Sequence, residues 1–273
     1  MNYKNILILG SSGQIGRSLC NFLKEKNYNV IEFDIDRDLN EDLRNEKILD
    51  SILDKIDFVF FLAFDIGGSK YLEKYEKTFE FINNNTKIIL NTFNSLKKNN
   101  TPFIFASSQM SNMTYSSYGS LKLLGEYYTK SLNGVIVKFW NVYGVESDDE
   151  EKSHVITDFI KMSFNGKINM RTDGNESRQL LYADDCSEAL EIIMNNYDII
   201  NRDKSLDITS FEWVKIIDVA KIISDLNNSI YHLGESFDLQ QNKQNEPNDY
   251  ILKFWSPKTS LKDGIIKVIN ELR

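Results

Sequence analysis

Tyr118 and Lys122 stand four residues apart in Tyr118-Gly-Ser-Leu-Lys122, and nine residues separate Tyr118 from Ser108, the second of two adjacent serines. On a helix, residues four apart project from one face. A lysine ammonium beside a phenol favours the phenolate and lowers its pKa. A tyrosine tuned in this way can exchange a proton with a carbinol or a carbonyl near neutral pH. Ser108, just past Ala106, can hydrogen-bond the same oxygen. Alone the pattern is weak, because the chain has 13 tyrosines and a surface i,i+4 pair needs no chemistry. Its weight comes from the elements around it.

The apolar run Asn5-Ile-Leu-Ile-Leu9 leads into Gly10-Ser-Ser-Gly13-Gln-Ile-Gly16, and the apolar spacing over 15–23 predicts a helix. A strand, a glycine turn and a helix in that order make a dinucleotide-binding fingerprint. A side chain on the turn would keep the backbone from a pyrophosphate, and the helix N-terminus offers it N–H groups and a positive dipole end. The spacing is G-x-x-G-x-x-G and not the commoner G-x-G-x-x-G, so a ligand-free tight turn is the plainer alternative. Asp34 argues against that alternative. It ends the next apolar run, 29–33, eighteen residues after Gly16, near the roughly 20 expected for a carboxylate on the adenosine ribose.

Further strands are predicted over 57–63, 102–106 and 135–139, and helices over 45–55, 79–98 and 116–132. This alternation implies a doubly wound parallel sheet with helices on both faces. Ligands then bind beyond the carboxyl ends of the strands, which directs attention to Gly10, Asp34, Ala63, Ser107-Ser108 and Asn141. After Gly144 the pattern loosens. The acidic run 146–151 reads as a solvated loop, 155–165 and 185–195 as helices, 178–182 as a short strand returning to the sheet, and 213–226 as an amphipathic helix. The polar stretch 240–249 reads as a loop, and Thr259 or Ser260 as the N-cap of a last helix. The organisation expected is a nucleotide-binding domain over 1–144 with returning segments near 180–210, and a smaller C-terminal substrate lobe from 145–179 and 211–273.

Composition narrows the function. A net charge of −8 without a basic block speaks against nucleic acid. No run approaches the roughly 20 apolar residues of a membrane span, and the short apolar start reads as a strand and not a signal peptide, so a cytoplasmic location is expected. Cys20 and Cys186 read as reduced core residues without metal spacing, and no metal site is expected. His154 and His232 are isolated and read as surface or satisfied polar groups.

Together these motifs resemble the extended short-chain dehydrogenase/reductases, within them the NAD-dependent epimerase/dehydratase group acting on nucleotide sugars in polysaccharide biosynthesis. The resemblance runs over nearly the whole chain: Gly10-x-x-Gly13-x-x-Gly16, Asp34, Asp42-Leu43, Phe61-Leu-Ala63, Asn85, Ser107-Ser108, Tyr118-x-x-x-Lys122 with Gly125-Glu126, Asn141-Val-Tyr-Gly144, Arg178, Tyr182-Ala-Asp-Asp185 and Trp255 to Gly264. It implies a Rossmann fold and hydride transfer at a sugar carbon, commonly C4. Tyr118 would be the acid/base, Lys122 would hold the nicotinamide ribose, and Ser108 would orient the substrate oxygen. The cofactor would lie against Gly10, Gly13, Gln14, Ile15 and Gly16, then Asp34, Asp42, Leu43, Leu62 and Ala63, with Tyr118 and Lys122 at its reactive end. Asp34 favours NAD, because a carboxylate repels a 2′-phosphate; Arg37 nearby leaves NADP open. Asn141 and Arg178 would meet the diphosphate of a nucleotide-diphosphate sugar, and Asn85 would be structural. A homodimer through the two long helices is implied.

The departures bear on the reaction. The loop between Ser108 and Tyr118 is short, and the Thr-Asp-Glu of the dehydratases is replaced by Ser107-Ser108-Gln109. Without an acidic pair, 4,6-dehydration is disfavoured. Lys138 replaces a common arginine, and Lys243 is a weaker substitute for a diphosphate-clamping one. An epimerase and a 4-keto-sugar reductase both remain. So does a low-turnover dinucleotide-binding sensor or scaffold, against which the intact Ser108, Tyr118 and Lys122 speak.

Overall fold

The structure, a computed structural model, describes residues 3–146, 152–236 and 245–273. Its first half alternates β1 (Asn5–Leu9), α1 (Gln14–Glu25), β2 (Asn29–Phe33), α2 (Asp50–Leu53), β3 (Phe58–Phe61), α3 (Ser69–Tyr75), α4 (Phe79–Asn99), β4 (Phe103–Ser108), α5 (Ser117–Ser131) and β5 (Val135–Phe139). Then come β6 (Asn141–Tyr143), α6 (Val155–Phe164), β7 (Lys167–Asn169), β8 (Ser177–Tyr182), α7 (Ala183–Asn195) and β9 (Leu206–Ile208). The chain closes with β10 (Trp213–Lys215), α8 (Ile216–Asn227), β11 (Ile230–His232) and α9 (Leu261–Leu272).

The main sheet has six parallel strands in the order β2-β1-β3-β4-β5-β9. The order reverses beside β1, and a crevice opens at that switch point beyond the carboxyl ends of β1 and β3. β3 and β4 are buried at every residue, as their continuous apolar runs require in a sheet covered on both faces. One face packs on Leu19, Cys20 and Leu23 of α1 and Cys186, Ala189 and Ile193 of α7. The other packs on Phe81, Ile89 and Phe93 of α4 and Leu121 of α5. A third core gathers Tyr143, Ile156, Ile160, Ile168, Val219 and Val268 away from that sheet. Both cysteines are buried free thiols. Among the described residues no helix is long and apolar enough to cross a membrane.

Three expected elements differ. The helix over 45–55 shrinks to α2, because Lys47 takes a left-handed φ of 63° that an L-residue helix does not tolerate. The strand over 178–182 forms but joins a separate three-stranded sheet, β10-β8-β6, and not the main one. Residues 213–215, read as the start of a helix, are the strand β10 antiparallel to β8, and the helix begins at Ile216. Ser260 caps α9 by accepting from Asp263 N. Most of the acidic run and the first half of the 240–249 loop, Lys243 included, lie outside the described residues.

Candidate active site

A cleft of about 520 Å³ follows the carboxyl ends of the central strands. The glycine turn forms one wall, and its three glycines have different reasons. Gly10 has φ +87°, and a Cβ there would lie 2.6 Å from Ala63 N. A Cβ on Gly16 would collide with the carbonyl of Gly10. A Cβ on Gly13 would meet only Gly10 O at 3.5 Å, an ordinary contact. Chain packing therefore does not demand glycine at 13. Gly13 is also the N-cap of α1, which has no side-chain cap and no acidic residue in its first turn. Its N-terminus is suited to an anion. Gln14 and Ile15 line the same wall, as do Leu62 and Ala63 across from Gly10.

At the far end Asp34 is fixed from both sides. Its Oδ2 accepts from Ser12 N at 2.9 Å and its Oδ1 from Asp36 N at 2.9 Å. A carboxylate has about four lone-pair sites, so two remain for hydroxyls. Leu43 and Asp42 line this end too. Asp42 is gripped by Arg44, whose Nε and Nη2 each donate at 2.9 Å, and that hydrogen bonding holds the Asp42 carboxyl below its usual range. Glu41, which accepts from Asp34 N at 2.7 Å, was not singled out from the sequence. Asn85 is buried and structural: it pins the loop after β3 through Asp65 N (2.8 Å) and Asp65 O (3.1 Å).

The reactive end is built by β4 and the start of α5. Ser108 Oγ accepts from Met110 N at 3.1 Å, opening a short turn. Ser116 caps α5 by accepting from Gly119 N at 3.2 Å. A side chain at Gly119 would strike the Met110 carbonyl, so its absence lets α5 begin against that turn. The result brings Tyr118, Ser108 and Lys122 into one cleft, with the Ser108 side chain close enough to the phenol to favour its charged form. Lys122 is buried; its Nζ donates to Ala106 O at 2.7 Å and lies 3.8 Å from the Phe64 ring centroid.

The electrostatics differ from the expected lowering of the phenol. Burial pushes Tyr118 up to about 12, with the Ser108 side chain opposing. Burial pushes Lys122 down to about 7, with the Glu126 charge opposing. The ammonium turns to a carbonyl and a ring face and not to the phenol oxygen, so desolvation decides both values. Glu126 is itself buried; it accepts from Ser107 Oγ at 2.5 Å and pairs with Lys138 Nζ at 3.3 Å. Lys138 therefore faces the sheet interior.

Asn141 lines the cleft beyond the reactive end, and its Nδ2 donates to Gln179 O at 3.3 Å. Arg178 is not among the lining residues; it sits on β8 opposite Val214, and its Nη1 donates to Ser177 O at 2.8 Å. Two sequence readings change here. His154 is not isolated, and Glu146 is not solvated: the two side chains pair at the cleft wall, and Glu146 also accepts from His154 N at 2.9 Å. Burial works against charge on both groups, but the pairing prevails, so His154 is raised and Glu146 lowered. The signal was legible only in part, since eight residues of sequence separation do not by themselves place an acid against a histidine.

The sequence model of the NAD dependent epimerase/dehydratase family matches residues 6–209. A Methanocaldococcus jannaschii protein with a provisional UDP-glucose 4-epimerase name is 27% identical over 175 residues, 58% of this chain and 53% of that protein; the match thus spans about half of that relative's length. A UDP-glucose 4-epimerase from Thermotoga maritima, solved with UDP-glucose, superposes with a TM-score of 0.82 at 18% identity, covering 98% of each chain. A GDP-mannoheptose C4 reductase from Campylobacter jejuni, solved with NADP, gives 0.78 at 19% identity, covering 99% of this chain and 98% of that one. At such identities the two structures speak for the Rossmann fold.

Proposed function

The chain belongs to the NAD dependent epimerase/dehydratase family, and from that premise we propose that it is a nucleotide-sugar 4-keto reductase or epimerase with Tyr118 as its acid/base. The observation that carries this is the meeting of Tyr118 and Ser108 in the cleft that also holds the glycine turn and Asp34. Gly10, Gly13 and Gly16 would hold the pyrophosphate of a dinucleotide, Asp34 the adenosine ribose and Lys122 the nicotinamide ribose. The nicotinamide, when bound, supplies or removes a hydride. This chain's residues do the rest. Ser108 and Tyr118 fix the oxygen on the reacting sugar carbon, which we take to be C4. Phe64 and Ala63 keep that end dry. Asn141 meets the substrate beyond it, and Arg178, outside the lining, would have to reach its diphosphate from β8.

The two reactions ask different things of the Tyr118 phenol. It stays protonated at neutral pH, the form that gives a proton to a ketone oxygen as carbon is reduced. Epimerisation through C4 needs the same group to take a proton first. The test supplies a nucleotide-activated 4-ketohexose with NADH or NADPH, and separately UDP-glucose with NAD. Loss of reduced-nicotinamide absorbance in the first assay supports reduction. Appearance of UDP-galactose in the second without net redox change supports epimerisation.

We further propose a homodimer. Phe79 and Ile82 on α4 and Leu124 and Tyr127 on α5 are exposed, Phe79 at 75% and Tyr127 at 61%. Apolar residues on neighbouring helices are a self-complementary surface for two-fold pairing.

A further inference from the structure

The turn after β2 contains Arg37, a cation a few residues from Asp34. Arg37 N donates to Asp34 O at 3.1 Å, which turns the chain back beside the strand it has just left. Asp34, Asp36 and Glu41 line the cleft; Arg37 does not. Its guanidinium is instead ion-paired with Glu32, one residue before the end of β2. Successive strand residues point to opposite faces. Phe33 enters the core shared with α4, whereas Glu32 also binds Lys24 of α1, on the other face. Arg37 is therefore drawn to the α1 side of the sheet, away from the carboxylates at the cleft. The other guanidiniums near this end are engaged as well: Arg44 is held by Asp42, and Arg17 Nη2 donates to Ser12 O at 3.3 Å.

We propose that Glu32 is a specificity-determining residue: by holding Arg37 out of the cleft, it makes this site take NAD in preference to NADP. The inference rests on the dinucleotide reading of the cleft and extends it. A 2′-phosphate beside the adenosine ribose would face the Asp34 and Glu41 carboxylates, and the one guanidinium among the lining residues, Arg44, is already held by Asp42 and Asn84. A guanidinium is the group that matches phosphate oxygens two at a time. Arg37 is close enough in the chain to serve, and the Glu32 pairing is what keeps it from serving. Glu32 touches no ligand and acts only through Arg37.

The experiment measures NAD and NADP binding by tryptophan fluorescence or calorimetry on full-length protein stripped of bound nucleotide. It compares the native chain with Glu32→Ala, Arg37→Ala and the double variant. The native chain should bind NAD more tightly, and Arg37→Ala should change neither affinity. Glu32→Ala should tighten NADP about tenfold, the scale of one charge-assisted hydrogen bond, and leave NAD unchanged. The double variant should lose that gain. If Glu32→Ala lowers the melting temperature, Glu32→Thr keeps a β-branched residue in the strand and removes the same carboxylate. Weaker NADP binding by Arg37→Ala in the native background would overturn the proposal, because Arg37 would already be reading the phosphate. So would Glu32 variants with native affinities for both. Failure of every variant to bind either dinucleotide would instead remove the underlying reading of the cleft.

Discussion

Lys122 Nζ lies 2.7 Å from the carbonyl oxygen of Ala106, two residues before Ser108 on the same strand. This one bond ties the helix that carries Tyr118 to the strand that carries Ser108. It also explains why the lysine is buried: the ammonium satisfies a strand-end carbonyl and lies over Phe64, where water would otherwise have to enter.

Replacing Tyr118 by Phe removes the proton donor and keeps the ring. Its edge contact with Phe64, centroids 5.8 Å apart, survives. We expect kcat to fall about 10³-fold, the scale of a lost general acid, with dinucleotide affinity and melting temperature near native. Steady-state rates and calorimetry check this. Undiminished turnover would remove Tyr118 from the mechanism, and undiminished biological function without turnover would favour a binding module.

Lys122 gives a pH dependence whose sign can be worked out. Its pKa is depressed in the fold, to about 7 from 10.5, so between those values the unfolded chain binds more protons. Stability contributed at this position then rises with pH through that window, by at most about 1.4 kcal/mol per pH unit. Relative to Lys122→Met, the native chain should gain stability between about pH 7 and pH 9 in urea titrations. A constant difference between the two proteins would show that Lys122 is not desolvated in the fold.

The Glu146–His154 pair has the opposite sign. The His154 pKa is raised in the fold, so its contribution is full below the unfolded value of about 6.5 and fades as pH rises through the raised one. The imidazole is 45% exposed, which limits the effect to about 1 kcal/mol. His154→Gln should cost more near pH 6 than near pH 9, about the two sides of that titration. Equal cost at both would mean that the pair is not charged.

Tyr127→Glu, placed on the exposed face of α5, should turn a dimer into a monomer in analytical ultracentrifugation and leave the melting temperature of the monomer unchanged. A native chain that sediments as a monomer at micromolar concentration would contradict the pairing through α4 and α5.

What could be read from the sequence was what is local. Gly10, Gly16 and Asp34 lie within one strand-helix-strand unit, and Tyr118 and Lys122 within about one helical turn, so their types and spacing brought them to one cleft. What could not be read depends on distant partners. Glu32 takes Arg37 away from the cleft, Ala106 takes the Lys122 ammonium, and Glu146 meets His154 eight residues on. Residues 213–215 have the apolar spacing of the helix that follows, and only the edge of β8 makes them a strand. Arg178 was placed by resemblance at the diphosphate, yet its position on β8 leaves it off the cleft wall. Glycine at 13 is the one of the three that packing leaves free.

The claim on which the rest depends is that the cleft holds a dinucleotide, with NAD preferred. The most direct measurement denatures the freshly purified protein, identifies any released nucleotide by mass spectrometry, and titrates the stripped protein with NAD and NADP. The account predicts NAD or NADH in the released fraction, or tighter binding of NAD than of NADP by a chain that carries none. A chain that releases no dinucleotide and binds neither would contradict it.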